Sequence, residues 1–179
     1  MESHKRELEI QTLLTASRFR VERVTQRFAD GSSFTREVVR HPGAVVIVPV
    51  LDDGRICLIR NYRVAVDREL LELPAGTLEP GEPPLETARR ELIEETGFRA
   101  AEVVPLYEFY MSPGILDERM YAYLATGLTA GPPARELGEQ IENQLVTLAE
   151  LDALLRDGSV QDSKSLSALL YYLRYCEQH

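Results

Sequence analysis

The chain has 179 residues, of which 44% are hydrophobic, and its formal net charge is −9 at pH 7. This negative net charge argues against a protein that binds nucleic acid through a broad basic surface. No apolar run approaches the roughly 18 residues that a membrane span needs, and Cys57 and Cys176 form no metal-spaced pair. We therefore expect a soluble protein of a reducing compartment, by default the cytoplasm, without nucleic-acid or membrane partners.

The first third of the chain has the pattern of strands. Residues 19–28, FRVERVTQRF, partly alternate apolar and polar side chains, ADGSS supplies turn chemistry, and FTREVVR resumes the extended pattern, which predicts a β-hairpin. After the break HPG, residues 44–50 and 55–64 are typical of buried strands in a central sheet. We divide the chain into an N-terminal β segment, residues 1–40, and a main domain, residues 41–179.

The second half predicts strands followed by helices. Residues 102–111 and 118–126 indicate a strand pair separated by the loop SPGILD. Residues 148–158 and 163–178 carry apolar side chains at helical spacing, and each segment starts near a plausible N-cap. Because no repeat or linker interrupts this half, we assign it to the main domain.

An acidic stretch lies between the two groups of strands. Residues 76–98, GTLEPGEPPLETARRELIEETGF, place most of their carboxylates on one turn and one segment with helical spacing. Pro83 and Pro84 suit the first turn of a helix, and Gly97 offers a C-terminal stop. The stretch therefore predicts a helix that packs on the sheet.

Glu91, Glu94 and Glu95 stand at i, i+3 and i+4 on this helix. Their carboxylates lie along one stripe and repel one another, so a cation is needed beside them. One alternative is a solvated acidic face neutralised by Arg89 and Arg90. The other is a divalent cation, since oxygen ligands suit Mg²⁺ or Mn²⁺.

The register of the stretch favours the metal. The stretch resembles the box of the Nudix hydrolases in every fixed position. These positions are Gly76, then Glu82 after five residues, and then RELIEETGF, residues 90–98, after seven more. The segments REVVRHPGAVVIVPV, LIRNYRVAV and ELPAGTLEPGE, and Pro113 within MSPGILDE, are similar to the ADP-ribose pyrophosphatase subgroup. The resemblance covers residues 36–126 closely and the rest of the chain loosely.

This resemblance implies an α+β fold, the Nudix α/β/α sandwich with a mixed central sheet and an N-terminal β-hairpin. It implies metal-dependent hydrolysis of the pyrophosphate bond of ADP-ribose to AMP and ribose 5-phosphate. GDP-mannose hydrolases carry a comparable SPG segment, so GDP-mannose or another nucleoside diphosphate sugar stays open as the substrate. A non-catalytic nucleotide-binding module is the third alternative, but a binder has no chemical need for the full set of glutamates.

Matched positions carry the family's roles over to this chain. The implied metal is Mg²⁺, for which Mn²⁺ can substitute, and its implied ligands are the carbonyl of Ala75 and the carboxylates of Glu91, Glu94 and Glu95. Arg90 is implied to orient Glu91 by ion pairing, and Glu94 to share the catalytic cluster. Glu82 is implied to brace the loop and the helix start.

The general base is implied to lie outside the box, in the segment ARELGEQIENQLVTL before the last strand. We predict Glu139 as this base, because GEQIE leading into NQLVTL best resembles the family's acidic loop. Glu136 and Glu142 stay open for the same role. Each of them is otherwise a solvated loop acid.

Substrate contacts are implied for Arg40, Arg63, Phe19 and Pro113. An arginine can meet diphosphate or ribose oxygens with two hydrogen bonds, although an ordinary salt bridge explains each arginine as well. Phe19 can stack on a purine or belong to a core or dimer contact. The resemblance also implies a homodimer, in which the N-terminal hairpin packs across a two-fold axis and completes the partner's pocket.

Overall fold

The structure is a computed structural model that describes residues 7–134 and 141–176. These residues form two compact units. The first comprises residues 7–43 together with residues 110–119, and the second comprises the rest of the described chain. No helix in either described range is long and apolar enough to cross a membrane.

The first unit contains a three-stranded antiparallel sheet in the order β1, β2, β3. Its strands are β1 (Glu7–Thr15), β2 (Arg20–Arg27) and β3 (Ser33–Arg40). The predicted hairpin is present as β2 and β3, and Gly31 in its turn has a φ of +86°, which favours glycine. Strand β1 was not predicted from the sequence; it pairs with β2, so the hairpin forms two strands of a three-stranded sheet.

One face of this sheet carries exposed apolar side chains. Ile10 pairs with Val24, and Leu8 pairs with Gln26, which in turn pairs with Phe34. Directly paired residues point to the same side of a sheet, so these apolar side chains share one face. Leu8, Ile10 and Phe34 are 52%, 54% and 46% exposed. This face therefore has unburied apolar surface that another molecule can cover.

The second unit contains two sheets, ordered β7-β4-β9-β8 and β10-β5-β6. The strands are β4 (Ala44–Pro49), β5 (Ile56–Arg63), β6 (Arg68–Glu72), β7 (Ala75–Thr77), β8 (Phe98–Tyr110), β9 (Arg119–Ala130) and β10 (Ile141–Val146). Strand β4 runs antiparallel to β7 and parallel to β9, so its sheet is mixed. Strand β5 pairs antiparallel with both β6 and β10.

The helices of this unit are α1 (Pro84–Thr96), α2 (Leu148–Arg156) and α3 (Ser163–Tyr175). Helix α1 is followed by its C-cap Gly97, whose φ of +79° is left-handed. The N-cap of α2 is Thr147, which forms a capping box with Glu150, and the N-cap of α3 is Asp162, whose side chain accepts from the N–H of Ser165. Local capping chemistry thus fixes the starts of α2 and α3.

Strand β4 lies at the centre of the core and is buried along its whole length. Val45 and Ile47 pack in one cluster with Ala88 and Leu92 of α1, and α3 also packs against β4. In the neighbouring sheet, the β5 residue Cys57 is wholly buried. Because α1 also packs against β7, its glutamate stripe is brought beside that short strand.

Candidate active site

Two glutamates of α1 meet strand β7. Glu95 is only 4% exposed, and its Oε2 accepts a hydrogen bond from the backbone N–H of Ala75 at 2.9 Å. The carboxyl group of Glu91 lies against Gly76, so closely that a Cβ on Gly76 would stand 1.8 Å from Glu91 Cδ. A side chain at position 76 would therefore force the Glu91 carboxylate to move, and glycine leaves it room beside β7.

Arg90 holds the other acidic groups of the box. Its Nη1 donates to Glu91 Oε1 at 2.7 Å and to Glu94 Oε2 at 2.8 Å. Its Nε and Nη2 donate to the two oxygens of Glu82 at 3.1 and 3.0 Å. The hydrogen bonds to Glu82, followed by the charge of Glu91, raise the pKa of Arg90. One guanidinium thus contacts three carboxylates. Glu82 lies two residues before the start of α1, in the segment that it was predicted to brace.

The hydrogen bonds from Arg90 are the largest cause that lowers the pKa of Glu82, to about 2. The hydroxyl of Thr87 also donates to Glu82, at 2.8 Å. A carboxylate with these partners stays ionised through the neutral range. Glu82 therefore supplies a fixed negative charge that anchors Arg90.

Glu82→Gln is expected to remove part of the acid sensitivity of the fold. A glutamate in an unfolded chain has a pKa of about 4.3, and the folded-state pKa of Glu82 is about 2. The ionised group therefore stabilises the fold above about pH 4.3, and this contribution is lost as the pH falls toward 2. Denaturant unfolding at pH 7 and pH 3 should show a larger loss of stability for the wild type than for the variant. Glu79→Gln, at an exposed glutamate of the same turn, is the control, and equal losses in wild type and Glu82→Gln would contradict the pairing.

The predicted metal ligands supply only oxygen donors, which is the chemistry that a hard divalent cation requires. One oxygen each of Glu91 and Glu94 is held by Arg90, and one oxygen of Glu95 is held by Ala75 N–H. Among residues 7–134 and 141–176, no three His, Cys, Asp or Glu side chains are gathered as a metal site. The chemistry of these oxygen donors fits a hard divalent cation. Their side chains are not assembled around one point in the described residues.

Arg63 at the end of β5 belongs to a second charged group, here named the Glu72 cluster: Arg63, Glu72, Asp162 and Lys164. Arg63 Nε and Nη2 donate to the two oxygens of Glu72 at 2.8 and 2.6 Å. Lys164 Nζ lies 2.5 Å from Glu72 Oε2 and 2.9 Å from Asp162 Oδ2. Arg63 was predicted from the sequence as a substrate contact, whereas Glu72 and Lys164 were not singled out.

The Glu72 cluster interacts electrostatically with the box glutamate Glu95. Hydrogen bonding to Glu72 is the largest cause that raises the pKa of Arg63, and the charge of Glu95 adds to it. Arg63 therefore lies within electrostatic reach of a predicted metal ligand. Among the four predicted substrate contacts, Arg63 is the one that belongs to the second unit, which also contains the box residues.

Arg40, Phe19 and Pro113 belong to the first unit. Arg40 Nε donates to Glu22 Oε2 at 2.8 Å, and its Nη1 donates to Asp117 Oδ2 at 3.1 Å. Phe19 is 39% exposed, and Pro113 is also exposed. Arg40 therefore joins the end of β3 to the segment that contains Pro113.

The candidate general bases are divided between described and undescribed residues. Glu139, which the sequence favours, and Glu136 both lie outside the described residues. Glu142 lies in β10, where it is exposed and pairs with Arg60 of β5. The position of Glu142 on a strand is fixed by the sheet register.

Comparison with known proteins establishes the class. Residues 40–169 match the NUDIX domain. Since this match spans well over half of the chain, the protein belongs to the Nudix family. It is a Nudix hydrolase, which confirms the resemblance predicted from the box.

Individual relatives agree with this class. An ADP-ribose pyrophosphatase from Bacillus subtilis (strain 168) is 40% identical over 144 residues, covering 79% of this chain and 78% of that protein. A GDP-mannose pyrophosphatase from Enterobacter sp. (strain 638) is 32% identical over 154 residues, covering 75% of this chain and 79% of that protein. A crystal structure of an ADP compounds hydrolase matches with a TM-score of 0.84 and 28% identity, covering 98% of this chain and 96% of that one. The structural match confirms the predicted α+β fold class.

Proposed function

We propose that this Nudix hydrolase cleaves the pyrophosphate bond of ADP-ribose to give AMP and ribose 5-phosphate. The observation that carries the proposal is the similarity to the Bacillus ADP-ribose pyrophosphatase over most of both chains. The complete set of box glutamates supports catalysis rather than binding alone. Cys57 and Cys176 are both free thiols, which supports a cytoplasmic enzyme.

We assign Mg²⁺, for which Mn²⁺ can substitute, to Glu91, Glu94, Glu95 and the carbonyl of Ala75. When bound, the metal neutralises diphosphate oxygens and acidifies a water molecule. The chain's own contribution is orientation. Arg90 holds Glu91 and Glu94 on one side of α1, and the N–H of Ala75 holds Glu95 against β7.

Arg63 and Arg40 are the proposed partners of the substrate's diphosphate and terminal ribose, because each guanidinium can present two parallel donors to oxygen. Phe19 is proposed to stack on the adenine, and Pro113 to shape the loop beside it. Both side chains are exposed, which supports contact with a ligand.

A substrate panel tests the proposed function. ADP-ribose, GDP-mannose and UDP-glucose are incubated with the full chain and Mg²⁺, with and without EDTA, and products are separated by chromatography. We expect ADP-ribose to be cleaved fastest, with AMP and ribose 5-phosphate in equal amounts and no products in EDTA. Faster cleavage of GDP-mannose would favour the alternative that the Enterobacter relative supports. Absence of any product would favour a binding module.

Glu139→Gln is expected to reduce the turnover of ADP-ribose at least about tenfold while its KM changes only a few-fold, since proton transfer to the base contributes mainly in the transition state. Steady-state kinetics of Glu139→Gln, Glu136→Gln and Glu142→Gln measure this directly. A loss confined to KM would refute the role of Glu139. A near-neutral Glu139→Gln beside a slow Glu136→Gln or Glu142→Gln would transfer the role to that residue.

We also propose a homodimer that covers the apolar face of the N-terminal sheet. Support comes from the exposure of Leu8, Ile10 and Phe34 on that face, because burying apolar surface drives association. Light scattering should give twice the chain mass of 20.2 kDa. Replacing Leu8 and Ile10 by Ser should shift the protein to monomer, whereas a monomeric wild type would refute the dimer.

A further inference from the structure

The Glu72 cluster contains two acidic and two basic side chains in close contact. Glu72 is 1% exposed, and both of its oxygens are engaged, one by Arg63 Nε and the other by Arg63 Nη2 and Lys164 Nζ. The formal charges of Arg63, Lys164, Glu72 and Asp162 sum to zero. A buried carboxylate with this many donors interacts strongly with each of them, because the surroundings are poorly polarisable.

Lys164 reaches Glu72 because the start of α3 is attached to the end of β6. The backbone N–H of Leu73 donates to Ser165 Oγ at 2.7 Å, and Ser165 N–H and Oγ both donate to Asp162 Oδ2, at 2.9 and 2.6 Å. These bonds hold the residues on both sides of Lys164. Its ammonium group is therefore directed at Glu72 by the backbone as well as by charge.

Arg63 differs from the other members of the cluster in its accessibility. Its side chain is 38% exposed, whereas that of Glu72 is 1% exposed and that of Lys164 is 13% exposed. Arg63 uses Nε and Nη2 on Glu72, and Nη1 makes no hydrogen bond to any residue in the described part of the chain. A ligand can thus meet the exposed edge of the guanidinium while its inner edge stays on Glu72.

The charge of Glu72 decides how strongly that edge attracts an anion. With all four residues present the charges of the Glu72 cluster cancel, so no net negative charge stands behind the exposed edge of the guanidinium. Lys164 provides a second positive charge to the same carboxylate. Removing Lys164 leaves the cluster with a net charge of −1 next to the edge that a diphosphate would contact, and like charges repel at this range.

We propose that Lys164 is a positioning residue that shares the charge of Glu72 and so allows Arg63 to bind the diphosphate of the substrate. The inference rests on the proposed function, in which Arg63 contacts the diphosphate. Lys164 acts through Arg63 and does not itself contact the ligand. Replacing Glu72 by a neutral residue should therefore compensate for the loss of Lys164.

The test is a double-mutant cycle on the full chain with Lys164→Met, Glu72→Gln and the double variant. Lys164→Met should weaken ADP binding, measured by calorimetry in EDTA, and raise the KM for ADP-ribose, each by about tenfold, with kcat within about threefold. Adding Glu72→Gln should recover at least about half of the loss on a logarithmic scale. Lys164→Arg, which keeps the charge, should stay close to wild type.

Arg156→Met is the matched control, because it also removes one positive charge, from an exposed pair with Asp152 on α2. It should change neither the ADP affinity nor KM. A Lys164→Met variant with wild-type ADP affinity, a double variant no better than Lys164→Met, or a wild type that does not bind ADP would overturn the inference. A merely structural role for Lys164 predicts that the double variant is the worst of the set. ADP binding without hydrolysis of ADP-ribose would refute the proposed function and leave the comparison of ADP affinities valid.

Discussion

Glu95→Gln is expected to lower the turnover of ADP-ribose by about two powers of ten or more at saturating Mg²⁺, because a charged ligand is lost from the proposed metal site. The fold should be retained. Glutamine keeps one oxygen that can accept from Ala75 N–H, the bond that Glu95 makes at 2.9 Å. Steady-state kinetics measure the rate, and circular dichroism with thermal unfolding checks the fold.

Glu86→Gln is the matched control for Glu95→Gln, since Glu86 lies on the same helix and is exposed. It removes the same charge without touching β7, and its turnover should equal that of the wild type. Wild-type turnover in Glu95→Gln at saturating Mg²⁺ would contradict the assignment of Glu95 as a metal ligand. A slow Glu86→Gln would show instead that the helix charge as a whole sets the rate.

Gly76→Ala is expected to lower turnover by about two powers of ten, because the new methyl group displaces a catalytic carboxylate. The added Cβ would stand 1.8 Å from Glu91 Cδ, so Glu91 must leave its place beside β7. Its ion pair with Arg90, at 2.7 Å, is then strained or broken. Kinetics together with Mg²⁺ titration by calorimetry should show weaker metal binding as well as slower turnover.

Gly54→Ala separates this steric effect from general destabilisation. Gly54 has a φ of +80° and nothing within 4 Å of an added Cβ, so alanine there introduces backbone strain without a clash. We expect a lower melting temperature and unchanged turnover for Gly54→Ala. Equal losses of turnover in the two variants would refute a specific contact between Gly76 and Glu91.

Local patterns predicted the larger elements of the fold. The hairpin of β2 and β3 has alternation on both sides of a glycine turn, and α1 lies between Pro83 and Gly97, which are recognisable start and stop residues. Strand β1 was not predicted, although residues 7–11, ELEIQ, alternate polar and apolar side chains. The alternation is short and is broken by the consecutive leucines Leu13 and Leu14, so it is a weak strand signal.

The candidate site was predictable only as far as the box extends. Glu91 and Glu95 meet β7 because the motif keeps them on one stripe of a helix, and that spacing is visible in the sequence. Glu72 and Lys164 are 92 residues apart, and no local pattern indicates that they form a pair. Their contact is produced by the packing of α3 near the end of β6, which a sequence motif does not describe.

The burial of Cys57 gives the enzyme a practical property. Burial raises the pKa of its thiol to about 12, so only about one molecule in ten thousand carries the reactive thiolate there at pH 8. Cys176, one residue beyond the end of α3, is partly exposed. A maleimide dye should therefore attach selectively at Cys176 in the native protein. The unmodified sequence thus offers a single labelling position for fluorescence measurements, without the need for a cysteine-free background.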